Sequence, residues 1–545
     1  MRAILLMTFL LIVLCTHAFA IELSENEIKY TFKHSESNAN QLEVKVEFLG
    51  SPSGQTTVIT PWGGAVGHLL NKHIKFAIDN GGKAIDSNSE YTTFLHHPNA
   101  RFTAEYTLTS NKENGSAMLP IIENAYIVLY PATTMLYPAK WDSSLMDATF
   151  DFSQLNEKYH IFSSYGLERI IKTNNSFDQV RFSQFFGSIK KPEILSNAYR
   201  QNYITTIGEW KLFKNISPTE LLKKIIAYQR QVMKDENFPY YVAFIVKQPD
   251  EITYKFSSGL HNNNTLFLYI PDSDNTEKFS HLKHMFSHES FHAWIGNKIK
   301  IPPNIFKRYR WFSEGFTDYF GLKLAHDGGF VTHEEYANIL NYHINNYYNS
   351  IFRTISNQTY ETIYDGFHAG FNFIQTRGHL VALLYDISHP NNGFHKLKNF
   401  IKDLVHHIDD QKQRFSESVF WELFEKNFDP EFKSILQKHI FDGNEIVLPN
   451  MQEFELYETT HQVIDPGFDV TSSLKAKVIC NVQENTPAHQ AGLRNNTPFI
   501  DIRVINDKDN NEAIAIILMQ DNKSSLVQYV PNKIERKILN YRVRS

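Results

Sequence analysis

The stretch HLKHMFSHESFHAW, residues 281–294, carries four histidines: His281, His284, His288 and His292. Residues four apart share a helix face. His284, His288 and His292 therefore form one row, with His281 a turn earlier. Two pairs could chelate a divalent metal, His284 with His288 or His288 with His292. Glu289 decides between them. In H-E-x-x-H the glutamate follows the first ligand, so its carboxylate can reach a water activated by the metal. Only His288-Glu289-Ser290-Phe291-His292 has that form. Met285, Phe286, Phe291, Trp294 and Ile295 bury this helix, and a buried histidine pair needs partners, which a metal provides. The competing reading is packed or surface histidines in a chain that has 24 of them.

Two imidazoles do not complete a catalytic zinc site. A third protein ligand is expected, with the fourth position left for water. WFSEGFTDYF, 311–320, offers Glu314. The intervening IPPNIFKRYR, with its two prolines, suits a loop that brings a second helix back. Asp318 falls one turn after Glu314, where a carboxylate can accept the free ring N–H of a liganding histidine and fix its tautomer. Alone, Glu314 would read as a charge at a helix N-terminus. Together the two segments point to a zinc-type site, one Zn²⁺ per chain, with His288, His292 and Glu314 as ligands.

Outward from this site, 545 residues are too many for one core and predict several domains. Hydrophobic residues at 42% and charged residues at 21% are those of a globular chain. The formal charge of −5, without a basic block, excludes nucleic acid as an expected partner. Residues 21–215 read as β: in LEVKVEF, 42–48, Leu42, Val44, Val46 and Phe48 share a face, and RFTAEYTL, 101–108, is similar. The expectation is a β-sandwich or large curved sheet. From 216 to 450 the pattern turns mainly helical. It starts with SPTELLKKIIAYQRQVM, 217–233, which has a Ser N-cap and a capping-box glutamate. YYVAFIV (240–246) and TLFLYI (265–270) read as buried strands within that domain, and HPNNG (389–393) breaks two helices. Residues 455–545 return to β, with AKVICNVQENTPAHQAGL (476–493) as strand, turn and short helix. The fold class is multidomain α+β.

Residues 1–20 read as an export signal: Arg2, the apolar run AILLMTFLLIVLC, and small residues at Ala18 and Ala20. Acylation of Cys15 is disfavoured by Leu14, where a small residue is wanted. No later run is long and apolar enough to span a membrane. Cleavage after Ala20 would leave an exported chain, periplasmic or secreted, with Cys480 alone and no internal disulfide.

HESFHAW followed by WFSEGFTDYF resembles the glycyl aminopeptidase family of zinc metallopeptidases. These are gluzincins with a thermolysin-like catalytic domain and a C-terminal PDZ domain. PWGG near 61 is similar to that family's Pro-x-Trp-x-Pro-Gly segment. GFVTHEEY (329–336) resembles its helix start after the third ligand, and RGHLVALLYDI (377–387) its Lys-Gly helix. TPAHQAGL (486–493) resembles a PDZ turn. The resemblance implies a hydrolase acting on peptide bonds, aminopeptidase-like, with Glu289 as general base. It also implies a PDZ-like region, 455–545, that contacts a peptide or another domain. Two positions depart from the pattern. Gln375 stands where relatives carry a tyrosine that donates to the oxyanion; Tyr360 or Tyr364 are alternative donors. Ser258-Gly259-Leu260-His261-Asn262 replaces Gly-Gly-Leu-Glu-His, so His261 stands in place of the glutamate that binds the substrate amine. Gly259, Leu260, His261, Gln375 and Tyr364 are the substrate-binding candidates. These departures sustain a second reading, a catalytically impaired zinc-bearing peptide-binding or scaffold protein. A third reading is a buried-histidine protein without metal.

Overall fold

The computed structural model describes residues 23–60, 74–88, 90–113, 115–139, 145–197, 200–235, 241–253, 255–273, 275–363, 369–411, 413–506, 512–520 and 523–544. The export segment 1–20, PWGG at 61–64 and Tyr364 lie outside them.

The architecture is mixed α/β over several sheets. Two compact units form, and their division does not follow chain order. One comprises Met1–Glu209 with Tyr240–Pro271; the other comprises Trp210–Pro239 with Asp272–Ser545.

In the first unit the strand Gln41–Leu49 buries Leu42, Val44, Val46 and Phe48 and turns the residues between them outward. It pairs with Arg101–Thr109, setting Val44 opposite Tyr106 and Phe48 opposite Phe102. Both strands belong to a six-stranded sheet whose inner face carries the main apolar core of this unit. The strands Tyr241–Lys247 and Thr265–Ile270 form as read and fall in this unit. They continue a five-stranded sheet in which Asn202–Ile207 pairs parallel with Tyr241–Val246. Their near-uninterrupted apolar runs are those of a strand buried on both faces.

In the second unit helix α1, Pro218–Met233, starts at Ser217, whose hydroxyl accepts the Glu220 N–H at 3.1 Å. Helices α2 (Thr276–Phe291), α3 (Gly315–Asp327), α4 (His333–Asn349) and α5 (Ala369–Ser388) follow. Thr332 and Glu335 form a reciprocal capping box that begins α4. Helices α3 and α5 meet glycine on glycine. A Cβ on Gly315 would lie 2.5 Å from the Gly378 Cα, and one on Gly378 would lie 1.8 Å from the Trp311 carbonyl oxygen. Gly378→Ala must therefore force the helices apart. The expected loss is about 3 kcal/mol, the upper end of overpacking costs, read by denaturant unfolding.

The C-terminal part of this unit pairs Phe454–Asp465 with Asn532–Val543 and forms a three-stranded sheet from 499–506, 512–520 and 523–529. Asn341 of α4 clasps the Tyr541 backbone, donating to its carbonyl and accepting its N–H, both at 2.7 Å. The expected strand opening AKVICNVQ does not form. Val478 makes one isolated bridge with Pro498, which has no N–H to extend a ladder. The short helix follows as expected, at Pro487–Gln490, capped by Thr486.

Candidate metal centre

Helix α2 delivers His284 and His288 from successive turns and ends at Phe291. The His292 N–H still bonds the His288 carbonyl at 3.3 Å, so His292 stays one turn above His288. Two packing contacts fix this end of the helix. The fully buried Gln229 of α1 donates to the Ser287 carbonyl at 2.7 Å and accepts from the Ser290 hydroxyl at 2.8 Å. Gly321 of α3 admits the His288 backbone, since a Cβ there would lie 2.8 Å from the His288 Cα. That crossing sets the start of α3 beside the histidines. Glu314 caps α3 directly after the short helix Arg310–Ser313.

The three expected ligands converge. His288 Nε2 and His292 Nε2 are 3.1 Å apart, and they lie 3.8 Å and 3.6 Å from Glu314 Oε2. Ligands about 2.0–2.1 Å from a tetrahedral ion stand roughly 3.4 Å from one another, so the trio is spaced to be able to hold one ion. The tautomers also fit. His288 Nδ1 faces Asp318 Oδ1 at 3.1 Å, and His292 Nδ1 faces the Ile295 carbonyl at 2.9 Å. Both partners only accept, so each Nδ1 carries the proton and each Nε2 turns a lone pair towards Glu314. Two such lone pairs at 3.1 Å require a proton or a cation between them. Burial opposes the charged ring, yet the hydrogen bond and charge of Asp318, backed by Glu289 and Glu314, take His288 up to about 9.

Glu289 is partly exposed on the same turn. Burial raises its carboxyl above the usual range and Glu314 adds to the rise, against the pull of His288 and His292. A carboxylate so placed accepts a proton more readily than an ordinary glutamate, as a general base requires.

Asp318 is 2% exposed and ringed by nitrogen. Besides His288, it accepts from His379 Nδ1 at 2.9 Å and Gln375 Nε2 at 3.3 Å. His284 Nε2 lies 3.2 Å and His343 Nε2 3.4 Å from its two oxygens. Burial opposes ionisation, but these donors outweigh it and hold Asp318 well below the usual carboxylate range. Removing this carboxylate strands two buried ring N–H groups and frees the His288 ring. If the trio holds a metal ion, Asp318→Ala is expected to weaken its binding about 10–100-fold, measured by competition with a chelating indicator.

Gln375 lies on α5 with its amide on Asp318. Gly259, Leu260 and His261 lie in the first unit on the edge strand Ser258–Asn262, where the His261 ring packs 5.8 Å from Tyr241. Tyr360 is buried against Phe373. Arg377, where the resemblance expects lysine, is fully buried. It donates to the Ile355 and Arg353 carbonyls at 2.6 and 2.5 Å, with Phe373 4.4 Å beneath it. Sequence reading missed His343 and His379. His379 stands one turn from Gln375 on α5, a spacing that could have flagged it; His343 leaves no local signal.

Residues 281–368 match the model of the M61 glycyl aminopeptidase family. Among curated proteins, no sequence matches the chain. A crystal structure of an aminopeptidase N family protein from Idiomarina loihiensis is similar in fold, with a TM-score of 0.65 at 13% identity. The match covers 95% of this chain and 98% of that one. The segment that brings His288, His292 and Glu314 together is thus the segment that matches the M61 glycyl aminopeptidase model.

Proposed function

We propose that the chain is an exported zinc-dependent metallopeptidase of aminopeptidase type. In this reading a thermolysin-like catalytic region, 216–450, lies between an N-terminal β domain, 21–215, and a PDZ-like region, 455–545. The observation that carries the proposal is the closing of His288, His292 and Glu314 to 3.1–3.8 Å, with Glu289 on the same turn.

His288, His292 and Glu314 would hold the zinc, which when bound supplies a Lewis acid and lowers the pKa of water towards ~7. Asp318 and the Ile295 carbonyl hold the two imidazoles in the tautomer that leaves Nε2 unprotonated. Glu289 takes the proton of the attacking water and passes it to the leaving amine. Its raised affinity for a proton suits both halves of that transfer.

One observation favours the second reading, a zinc-bearing peptide-binding protein with little turnover. The Gln375 amide, at the position of the expected oxyanion donor, is engaged with Asp318. Loss of one such donor costs about 10²–10³ in turnover. Metal analysis followed by hydrolysis of aminoacyl and internally quenched peptides separates the two. The proposal expects bound zinc and cleavage; zinc without cleavage of any peptide supports the second. Chelation should abolish hydrolysis. It should also remove about 4 kcal/mol of stability, relative to zinc at a thousand times its Kd, seen as a fall in unfolding temperature.

A further inference from the structure

We infer that His379 is a positioning residue for the metal centre: it anchors the Asp318 carboxylate, which in turn holds the His288 ring. The inference rests on the reading that His288, His292 and Glu314 hold zinc.

The two oxygens of Asp318 are supported unequally. Oδ1 accepts from His288 Nδ1 at 3.1 Å and from Gln375 Nε2 at 3.3 Å, and His284 Nε2 lies 3.2 Å from it. Among the described residues, Oδ2 has one hydrogen bond, from His379 Nδ1 at 2.9 Å. His343 Nε2 stands 3.4 Å from the same oxygen without bonding it. Rotation of an aspartate carboxyl about its Cβ–Cγ bond has broad, shallow wells, so a carboxylate held at one oxygen alone swings. Fixing Oδ2 keeps Oδ1 aimed at His288 Nδ1, and that bond leaves the His288 Nε2 lone pair for the metal. Gln375 and His379 stand one turn apart on α5 and grip one oxygen each.

The packing of α5 brings this grip to the right level. Gly378 lies so close to the start of α3 that a Cβ on it would be 1.8 Å from the Trp311 carbonyl oxygen and 3.0 Å from the Gly315 Cα. The next residue, His379, therefore meets α3 one turn beyond Gly315, where Asp318 stands. The His379 side chain is 1% exposed, edge-on to Tyr319 and stacked 4.8 Å from His343. Its Nδ1 donates to Asp318, and its Nε2 is buried without a hydrogen bond. An apolar side chain would fill this place without leaving a polar atom unsatisfied. The histidine is accounted for by what its Nδ1 does.

The test uses the full chain, stripped by a chelator. His379→Leu removes the donor and keeps the site apolar; His379→Asn returns an amide N–H near the place of Nδ1. Competition with an indicator reads zinc affinity, and the visible absorption of the cobalt-loaded chain reads the geometry of the ligands. His379→Leu should bind zinc about tenfold more weakly, the lower end of the range for a lost outer partner, and should shift the cobalt bands. His379→Asn should recover most of the affinity and the original spectrum. Circular dichroism checks folding, and the half-buried Gln375→Met, expected to weaken zinc by about the same factor, serves if His379→Leu does not fold. Unaltered zinc affinity and cobalt spectrum in the folded variant, while Glu314→Ala loses zinc, overturn the inference and leave the ligand trio standing. Unaltered affinity in Glu314→Ala as well overturns both.

Discussion

Replacing Glu289 by glutamine is expected to lower peptide hydrolysis about 10³-fold, within the 10²–10⁴ that a positioned acid–base group supplies, with bound zinc unchanged. The amide keeps the size and the hydrogen-bonding reach of the carboxylate but cannot accept a proton. The proposed metal-binding atoms belong to His288, His292 and Glu314, so none is lost. Glu289 also holds its proton more tightly than an ordinary glutamate, first because it is desolvated and then because Glu314 is near. A group tuned in this way matters for proton transfer and contributes little to holding the fold. Steady-state hydrolysis with zinc analysis of the same sample measures both halves of the prediction. Unchanged turnover would remove Glu289 from the chemistry.

Glu314→Ala is expected to act on the metal itself. This carboxylate is the one anionic member of the trio, and it faces both Nε2 atoms at 3.6–3.8 Å. Without it two neutral imidazoles remain, and zinc affinity should fall by more than the roughly 100-fold that loss of a supporting outer partner costs. Hydrolysis at limiting zinc should disappear. The fold should survive, because Glu314 stands at the junction of two helices where its backbone bonds persist: its N–H to the Arg310 carbonyl and its carbonyl to the Asp318 N–H. Competition with a zinc indicator reads the affinity, and circular dichroism reads the fold. Affinity equal to that of the unaltered chain would mean that another group is the third ligand.

Local periodicity and short spacings made the histidine row, the alternating strand 41–49 and the capped starts of α1 and α4 readable, because each rests on neighbours within a few residues. The meeting of Glu314 with the histidine pair could be guessed only from the form of the two segments. What achieves it is Gly321 admitting the His288 backbone and Gly315 lying on Gly378. The glycines were visible, but the atoms they make room for were not. The strands at 241–270 were recognisable as strands, but a parallel pairing leaves no local mark of its partner. Their place beside 200–207 came only from the fold. The nitrogen ring around Asp318 was hidden for the same reason: His379 stands 61 positions from it. AKVICNVQ reads as a strand, but Val478 makes only an isolated bridge, with Pro498 opposite.

Anomalous diffraction at the zinc edge, on crystals of the zinc-loaded chain, tests the central claim most directly. The account predicts a peak about 2.0–2.2 Å from His288 Nε2, His292 Nε2 and a Glu314 carboxylate oxygen, with Glu289 beside it and unligated. A zinc-loaded crystal with no peak among those three residues would contradict it.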